Sequence, residues 1–215
     1  NSCIALLPMF AGREVVTVEG LEQRGELHPV QSSMVEAYGS QCGYCTPGFI
    51  LSMFEGYHRS DLDAPWKICD QLNGNLCRCT GYRPIREAMS KACEVRKSRA
   101  PDLFELRLKR EASAVSELSY RMGENSFHRP ATLPELLRLR TEFPAAELVC
   151  GATEIGVYIN KRFDTFPTLI STEGVLELRG IRKTERDWLV GGAATLTEME
   201  EAFAGEFPMI DKMLW

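Results

Sequence analysis

Two short segments hold four of the chain's eight cysteines, Cys42-Gly43-Tyr44-Cys45 and Cys77-Arg78-Cys79. Each puts two thiols on one tight turn, and two such pairs can close a tetrahedral cage of four sulfurs. Spacing alone leaves the occupant open. A structural zinc and an iron–sulfur centre take the same four thiolates, and buried free thiols or disulfides are the plainer readings. A Cys-x-Cys second pair leans slightly against zinc ribbons, where that pair is usually wider. Cys69, Cys93 and Cys150 have no close partner in sequence and read as small buried hydrophobes. His28, His58 and His128 show no ligand spacing, and no Ser/His/Asp arrangement or acid–base pair of carboxylates stands out.

A second candidate is Leu148-Val149-Cys150-Gly151-Ala152-Thr153-Glu154-Ile155-Gly156, an apolar run entering a small-residue loop and then a helical pattern. Such a turn offers backbone N–H groups to a diphosphate. It fits neither the Rossmann glycine pattern nor a Walker loop, so an ordinary strand–helix turn stays open beside that reading.

The elements that must position these residues fall into two kinds. Residues 1–20 hold two apolar, β-branched stretches, Ile4–Leu7 and Val15–Val18, which suggest strands and a turn at the end of a β-rich unit. From Pro29 the period becomes helical, through Val30, Met34 and Val35, and Gly39 closes it. Thr46-Pro47, Asp63 and Arg83-Pro84 each suit the start of a further helix, giving four short helices over residues 21–95 with cysteines at their ends. Residues 96–126 are charged and weakly periodic, an expected linker with a helical stretch over Leu103–Leu118. A second unit, residues 127–215, alternates helix and strand. A helix capped by Thr132 leads to strands at Glu147–Cys150 and Thr168–Ser171. A hairpin of Leu176–Ile181 with Trp188–Gly192 follows, then a helix capped by Thr195 or Thr197. The fold class is α+β: the end of a β-rich unit, a four-helix bundle, then the start of an α/β domain.

At 215 residues the chain has room for two domains, and its 44% hydrophobic and 26% charged residues are those of a globular protein. A net charge of −5 gives no reason to expect nucleic acid or an anionic membrane as partner, and no apolar run is long enough to span one. Asn1-Ser2-Cys3 carries neither an initiator Met nor a basic leader, which reads as a chain entered within a domain. Facing cysteine pairs favour an intracellular metal site over a secreted disulfide framework, so a cytoplasmic location is expected.

Gln41-Cys42-Gly43-Tyr44-Cys45-Thr46-Pro47-Gly48 together with Asn75-Leu76-Cys77-Arg78-Cys79-Thr80-Gly81-Tyr82 resembles the helical iron–sulfur domain of the molybdenum hydroxylases. That family includes xanthine dehydrogenases, aldehyde oxidases and aerobic carbon monoxide dehydrogenases. The resemblance implies a [2Fe-2S] cluster on Cys42, Cys45, Cys77 and Cys79, beside a molybdopterin carried by a partner chain, with Gln41 and Cys79 on the pterin side. Asn1-Ser2-Cys3-Ile4-Ala5 resembles the segment bearing the fourth ligand of the family's plant-type ferredoxin domain. Cys3 would then serve a second [2Fe-2S] cluster in the intact protein.

Leu148–Gly156 in turn resembles the loop that binds the FAD diphosphate in the family's flavin domain, with Leu148, Val149, Cys150, Gly151, Ala152, Thr153, Glu154 and Ile155 as the binding segment. Phe127-His128-Arg129-Pro130-Ala131-Thr132-Leu133 resembles that domain's start, and Gly191-Gly192-Ala193-Ala194-Thr195 a later segment at its flavin. Iron–sulfur and then flavin on one chain resembles the small subunit of bacterial xanthine dehydrogenases. What this implies is an electron-transfer subunit in a hetero-oligomer, passing electrons from a molybdopterin-binding large subunit through the clusters to FAD and NAD+. A related aldehyde or N-heterocycle hydroxylase is the alternative within the family, and a zinc-stabilised interaction module the alternative outside it.

Overall fold

The computed structural model describes residues 3–111 and 116–214. The chain divides into two compact units, Val15–Ala112 and Asn1–Glu14 with Ser113–Trp215.

The first unit is helical: α1 (Pro29–Glu36), α2 (Thr46–Tyr57), α3 (Pro65–Leu72), α4 (Arg83–Lys97) and α5 (Leu103–Glu111). Each of α1 to α4 carries a proline in its first turn, where the missing N–H costs nothing and the fixed φ suits the helix. Their apolar faces meet in one core, with Val30, Phe49, Met53, Ile85, Ala88, Met89 and Ala92 buried. Burial of each large side chain stabilises by about 1.5–3 kcal/mol, against about 1–2 kcal/mol per residue for ordering the backbone. A core this small leaves the unit with little margin.

The second unit is built on a four-stranded sheet of order β1-β2-β4-β3, from β1 (Leu118–Met122), β2 (Asn125–Arg129), β3 (Glu147–Val149) and β4 (Thr168–Ser171). β1 runs antiparallel to β2, while β2 and β3 both pair parallel with β4, in a register that sets Phe127 against Leu169 and Leu148 against Ile170. Parallel neighbours need crossovers. These are α6 (Leu133–Glu142), capped by the Thr132 hydroxyl, and α7 (Thr153–Val157), which runs into a π turn at Tyr158–Arg162. A small hairpin of β5 (Ile181–Lys183) and β6 (Trp188–Val190) follows, then α8 (Leu196–Phe203), capped by Thr195, and α9 (Pro208–Leu214). The whole is a mixed helix and sheet fold, as expected for α+β. No helix among the described residues is long and apolar enough to cross a membrane.

Several local expectations are corrected. Ile4–Leu7 and Val15–Val18 do not form strands; 3-10 turns stand at Leu7–Phe10 and Val18–Leu21 instead. Pro8 sits in the first of these turns and has no N–H to give a ladder. The helical stretch ends at Glu111 rather than Leu118, which opens β1, and residues 112–115 lie outside the described ones, as do Asn1 and Ser2. Thr46 is the first helical residue and Cys45 the cap, while α3 is capped by Ala64 rather than Asp63, whose carboxylate pairs with Lys67 at 2.7 Å. Leu176–Leu178 is a 3-10 turn, so the hairpin strand starts only at Ile181.

Candidate functional site

The four paired cysteines converge. Cys42 and Cys45 lie on the turn that enters α2, and Cys77 and Cys79 on the turn that enters α4. Gly43, at φ +84, takes the left-handed conformation that lets the first turn fold between its two thiols. Cys79 Sγ lies 3.4 Å from Cys42 Sγ, and Cys45 hydrogen-bonds to Cys77. Cys77 is buried and Cys45 half-buried, whereas Cys42 and Cys79 are exposed.

A small network serves Cys77. Its N–H donates to the Tyr82 hydroxyl at 3.1 Å, and the Thr80 N–H donates to its sulfur at 3.5 Å. The Thr80 hydroxyl oxygen accepts from the Tyr82 N–H at 3.2 Å, which leaves its own proton for Cys77 Sγ, also at 3.2 Å. The Thr80 side chain first, and then its N–H, draw the Cys77 thiol down to about 7. Burial pushes Cys45 up to about 11. The Tyr44 N–H holds Cys42 below its ordinary value, and the bond to Cys42 raises Cys79. Thiols held as two neighbouring pairs, Cys42 with Cys79 and Cys45 with Cys77, fit a group ligated by four thiolates, and amide and hydroxyl donors on a ligand sulfur suit an iron–sulfur centre. Thr80 and Tyr82 were not singled out from the sequence as supports; a hydroxyl three residues after a candidate ligand was the available signal.

His28 and His58, without ligand spacing in sequence, meet at Asp102, the three donor atoms lying within 4.8 Å of one another. His28 Nε2 is 3.1 Å and His58 Nε2 2.8 Å from the same carboxylate oxygen. His28 Nδ1 accepts from the Val30 N–H in the capping box of α1, which assigns its proton to Nε2 and leaves no lone pair there for a metal. The cluster is therefore structural, tying the start of α1 and the end of α2 to the start of α5.

In the second unit the glycine loop leaves the carboxyl end of β3, where open α/β sheets bind ligands. Val149 and Ala152 are buried, Cys150 and Ile155 half-buried, and Leu148, Gly151, Thr153 and Glu154 exposed. Ala152 adopts φ +54, a left-handed conformation uncommon for a residue with a Cβ. Among the described residues no acceptor meets the N–H groups of Gly151 and Ala152. A Cβ on Gly151 would meet nothing within 4 Å, so open space lies over this backbone, a cradle that fits a diphosphate. Cys150 Sγ lies 4.0 Å from the Ala193 carbonyl, which brings Gly191–Thr195 beside the loop. Glu154 accepts from the Tyr158 hydroxyl at 2.7 Å. Cys3 is exposed and belongs to this unit, where its carbonyl accepts from Asn160.

Comparison with known proteins finds two family matches in order. Residues 17–90 match a [2Fe-2S] binding domain, and residues 120–215 an FAD binding domain in molybdopterin dehydrogenase. The chain is 33% identical to a xanthine dehydrogenase of Drosophila subobscura over 93% of its own length, and 28% identical to aldehyde oxidase 3 of Mus musculus over 95%. It spans 18% of each of these relatives. A crystal structure of quinoline 2-oxidoreductase from Pseudomonas putida 86 is 32% identical over 38% of this chain and 51% of that one, with a TM-score of 0.35 that is too low to argue from.

Proposed function

We propose that this chain, which belongs to the molybdenum hydroxylase family and spans its iron–sulfur and FAD region, relays electrons between a molybdopterin-bearing partner chain and FAD. The convergence of Cys42, Cys45, Cys77 and Cys79 carries the reading, since a relay needs a ligand set ready for its cluster. When bound, a [2Fe-2S] centre carries single electrons and FAD links them to two-electron acceptors such as NAD+. The chain's own part is to hold and tune. Cys45 and Cys77 grip from the buried side, Thr80 and Tyr44 direct hydrogen bonds at sulfur, and the Gly151–Ile155 backbone presents N–H groups to the FAD diphosphate.

The partner is proposed to dock over the open sulfur pair. Cys42, Cys79 and Gln41 are exposed there, and Tyr44 and Leu76 stand 96% and 82% exposed. Aromatic side chains in such positions are typical interface anchors. Cys3 is proposed as a ligand of a second [2Fe-2S] cluster, and a purine of the xanthine class as the partner's substrate, in line with the xanthine dehydrogenase relatives. Metal and sulfide analysis tests the core of the proposal. Two irons with two acid-labile sulfides on the helical unit, lost in Cys42→Ser and Cys77→Ser, are expected. Zinc without sulfide would overturn it. With the partner chain present, xanthine should reduce the flavin; reduction by aldehydes or other N-heterocycles alone would reassign the substrate class.

A further inference from the structure

One stripe of α2 serves the second cysteine pair as well as the first. Cys45 caps the helix, and Gly48, Phe49 and Ser52 follow it at the i+3, i+4 and i+7 positions that share a helix face. In turn they offer a ligand, a notch without a side chain, a buried ring and a hydroxyl. The chain on either side of Cys77 and Cys79 occupies all of it. Asn75 donates from Nδ2 to the Ser52 hydroxyl at 2.7 Å and to the Leu72 carbonyl at 3.3 Å. With Nδ2 so held, its Oδ1 lies over Gly48, where a Cβ would come within 2.7 Å of it. Tyr82 closes the other side. Its hydroxyl accepts from the Cys77 N–H at 3.1 Å, and its ring meets Phe49 edge to face with 6.2 Å between centroids.

The backbone of Tyr82 is left-handed at φ +66, a conformation uncommon for a bulky residue that persists only where the surroundings over-determine it. Gly81 beside it takes φ +67 at no such cost, whereas Tyr82 is held there by its ring and its hydroxyl. Asn75 and Tyr82 belong to the segment that carries Cys77 and Cys79, yet both grip the helix that Cys45 caps. We infer that Asn75 and Tyr82 are positioning residues of the relay, a clasp that fixes the spacing of the two ligand pairs and of the donors around Cys77. The inference rests on the iron–sulfur reading above. Partners that orient metal ligands in this way typically set retention of the metal by roughly 10–100-fold.

Three variants of the full-length protein test the clasp. Asn75→Ala removes the wedge. Tyr82→Phe keeps the ring and loses the acceptor. Gly48→Ala pushes a methyl against Asn75 while giving α2 a better helix former. Each should load iron and sulfide as the wild type does, release iron to a chelator about tenfold faster, and broaden the EPR signal of the reduced cluster. In Gly48→Ala the urea midpoint of α2, followed by hydrogen exchange, should hold or rise, which separates a misplaced ligand pair from a weakened helix. Because Gly48 and Asn75 share one contact, the double variant should release iron no faster than Asn75→Ala alone. Wild-type release and spectra in Asn75→Ala and Tyr82→Phe would overturn the clasp, and so would faster release found only where the urea midpoint falls in step. Zinc without sulfide in the wild type would overturn the iron–sulfur reading itself, and the clasp's part in a relay with it.

Discussion

Replacing Arg129 by Met removes a buried charge and three hydrogen bonds together, and the structure lets the two effects be weighed. The bonds to Ser116 and Ala11 are 2.9 and 3.0 Å and well formed, while that to Met9 is 3.4 Å and weak. Bonds from a charged donor contribute roughly 1.5–3 kcal/mol each, so the two short ones account for about 3–6 kcal/mol. Against this, holding a guanidinium out of water costs several kcal/mol, and Met removes that cost while keeping the apolar stem. The freed carbonyls belong to residues that are exposed or half-buried, so they recover water in part. The net expectation is a loss of about 2–4 kcal/mol, and for a unit of about a hundred residues a fall in Tm on the order of 10–20 °C. Arg129→Lys should fall between, since a point charge cannot serve acceptors that a planar fork reaches together. Hydrogen exchange on peptides of β2 and β4 through a urea series measures the loss for this unit separately. An unchanged or raised midpoint in Arg129→Met would mean that desolvation outweighs the bonds Arg129 makes.

Thr80→Val removes the hydroxyl donor on Cys77 and leaves its size. The cluster's midpoint potential should fall by roughly tens of millivolts, the scale of one hydrogen bond to a ligand sulfur, with Thr80→Ser close to wild type; redox titration followed by EPR reads this, and equal potentials in all three proteins would refute it. Acid should loosen the helical unit. Burial holds His28 below its ordinary 6.5, and the folded carboxyl of Asp102 is also depressed. Burial alone would raise Asp102, but the Glu105 N–H and the two imidazoles outweigh it. Both groups bind fewer protons folded than unfolded, so their stabilisation is present at neutral pH and lost on acidification, from about pH 6.5 downward for His28 and below about pH 4 for Asp102. Urea midpoints should fall accordingly, and His28→Gln should flatten the upper part of that fall; an identical slope in the variant would count against the assignment.

The helices of the first unit were legible because their signals are local. Pro29, Pro47 and Pro84 each mark a first turn, and the spacing of the cysteine pairs marked a candidate site while leaving its occupant open. β1 was not legible: four of its five residues are exposed, so it shows no apolar alternation and exists through its pairing with β2. The capping box of His28 with Gln31 departs from the usual Ser/Thr pattern, and Asp102 lies 74 residues away, so no local pattern could supply either. The burial of Arg129 was not legible either, since a charged side chain is rarely expected in a core. Residues 4–7 differ from the expected strand because their apolar character suggests one, while Pro8 and donors distant in sequence, Arg129 and Asn160, set a different course.

The separation in sequence of Met9 from Arg129 and of Cys3 from Asn160 also bears on synthesis. Met9 must wait for Arg129, and Cys3 for Asn160, before either finds its partner. At the usual pace of about 5–20 residues per second, roughly 150 residues of further translation occupy some 8–30 s. Over that time Leu6 and Met9 lack the surface that will cover them. The helical unit, which spans residues 15–112 of the sequence, can fold meanwhile. A nascent chain stalled before Asn160 should therefore expose Leu6 and Met9 to chaperones and proteases beside an already compact helical unit.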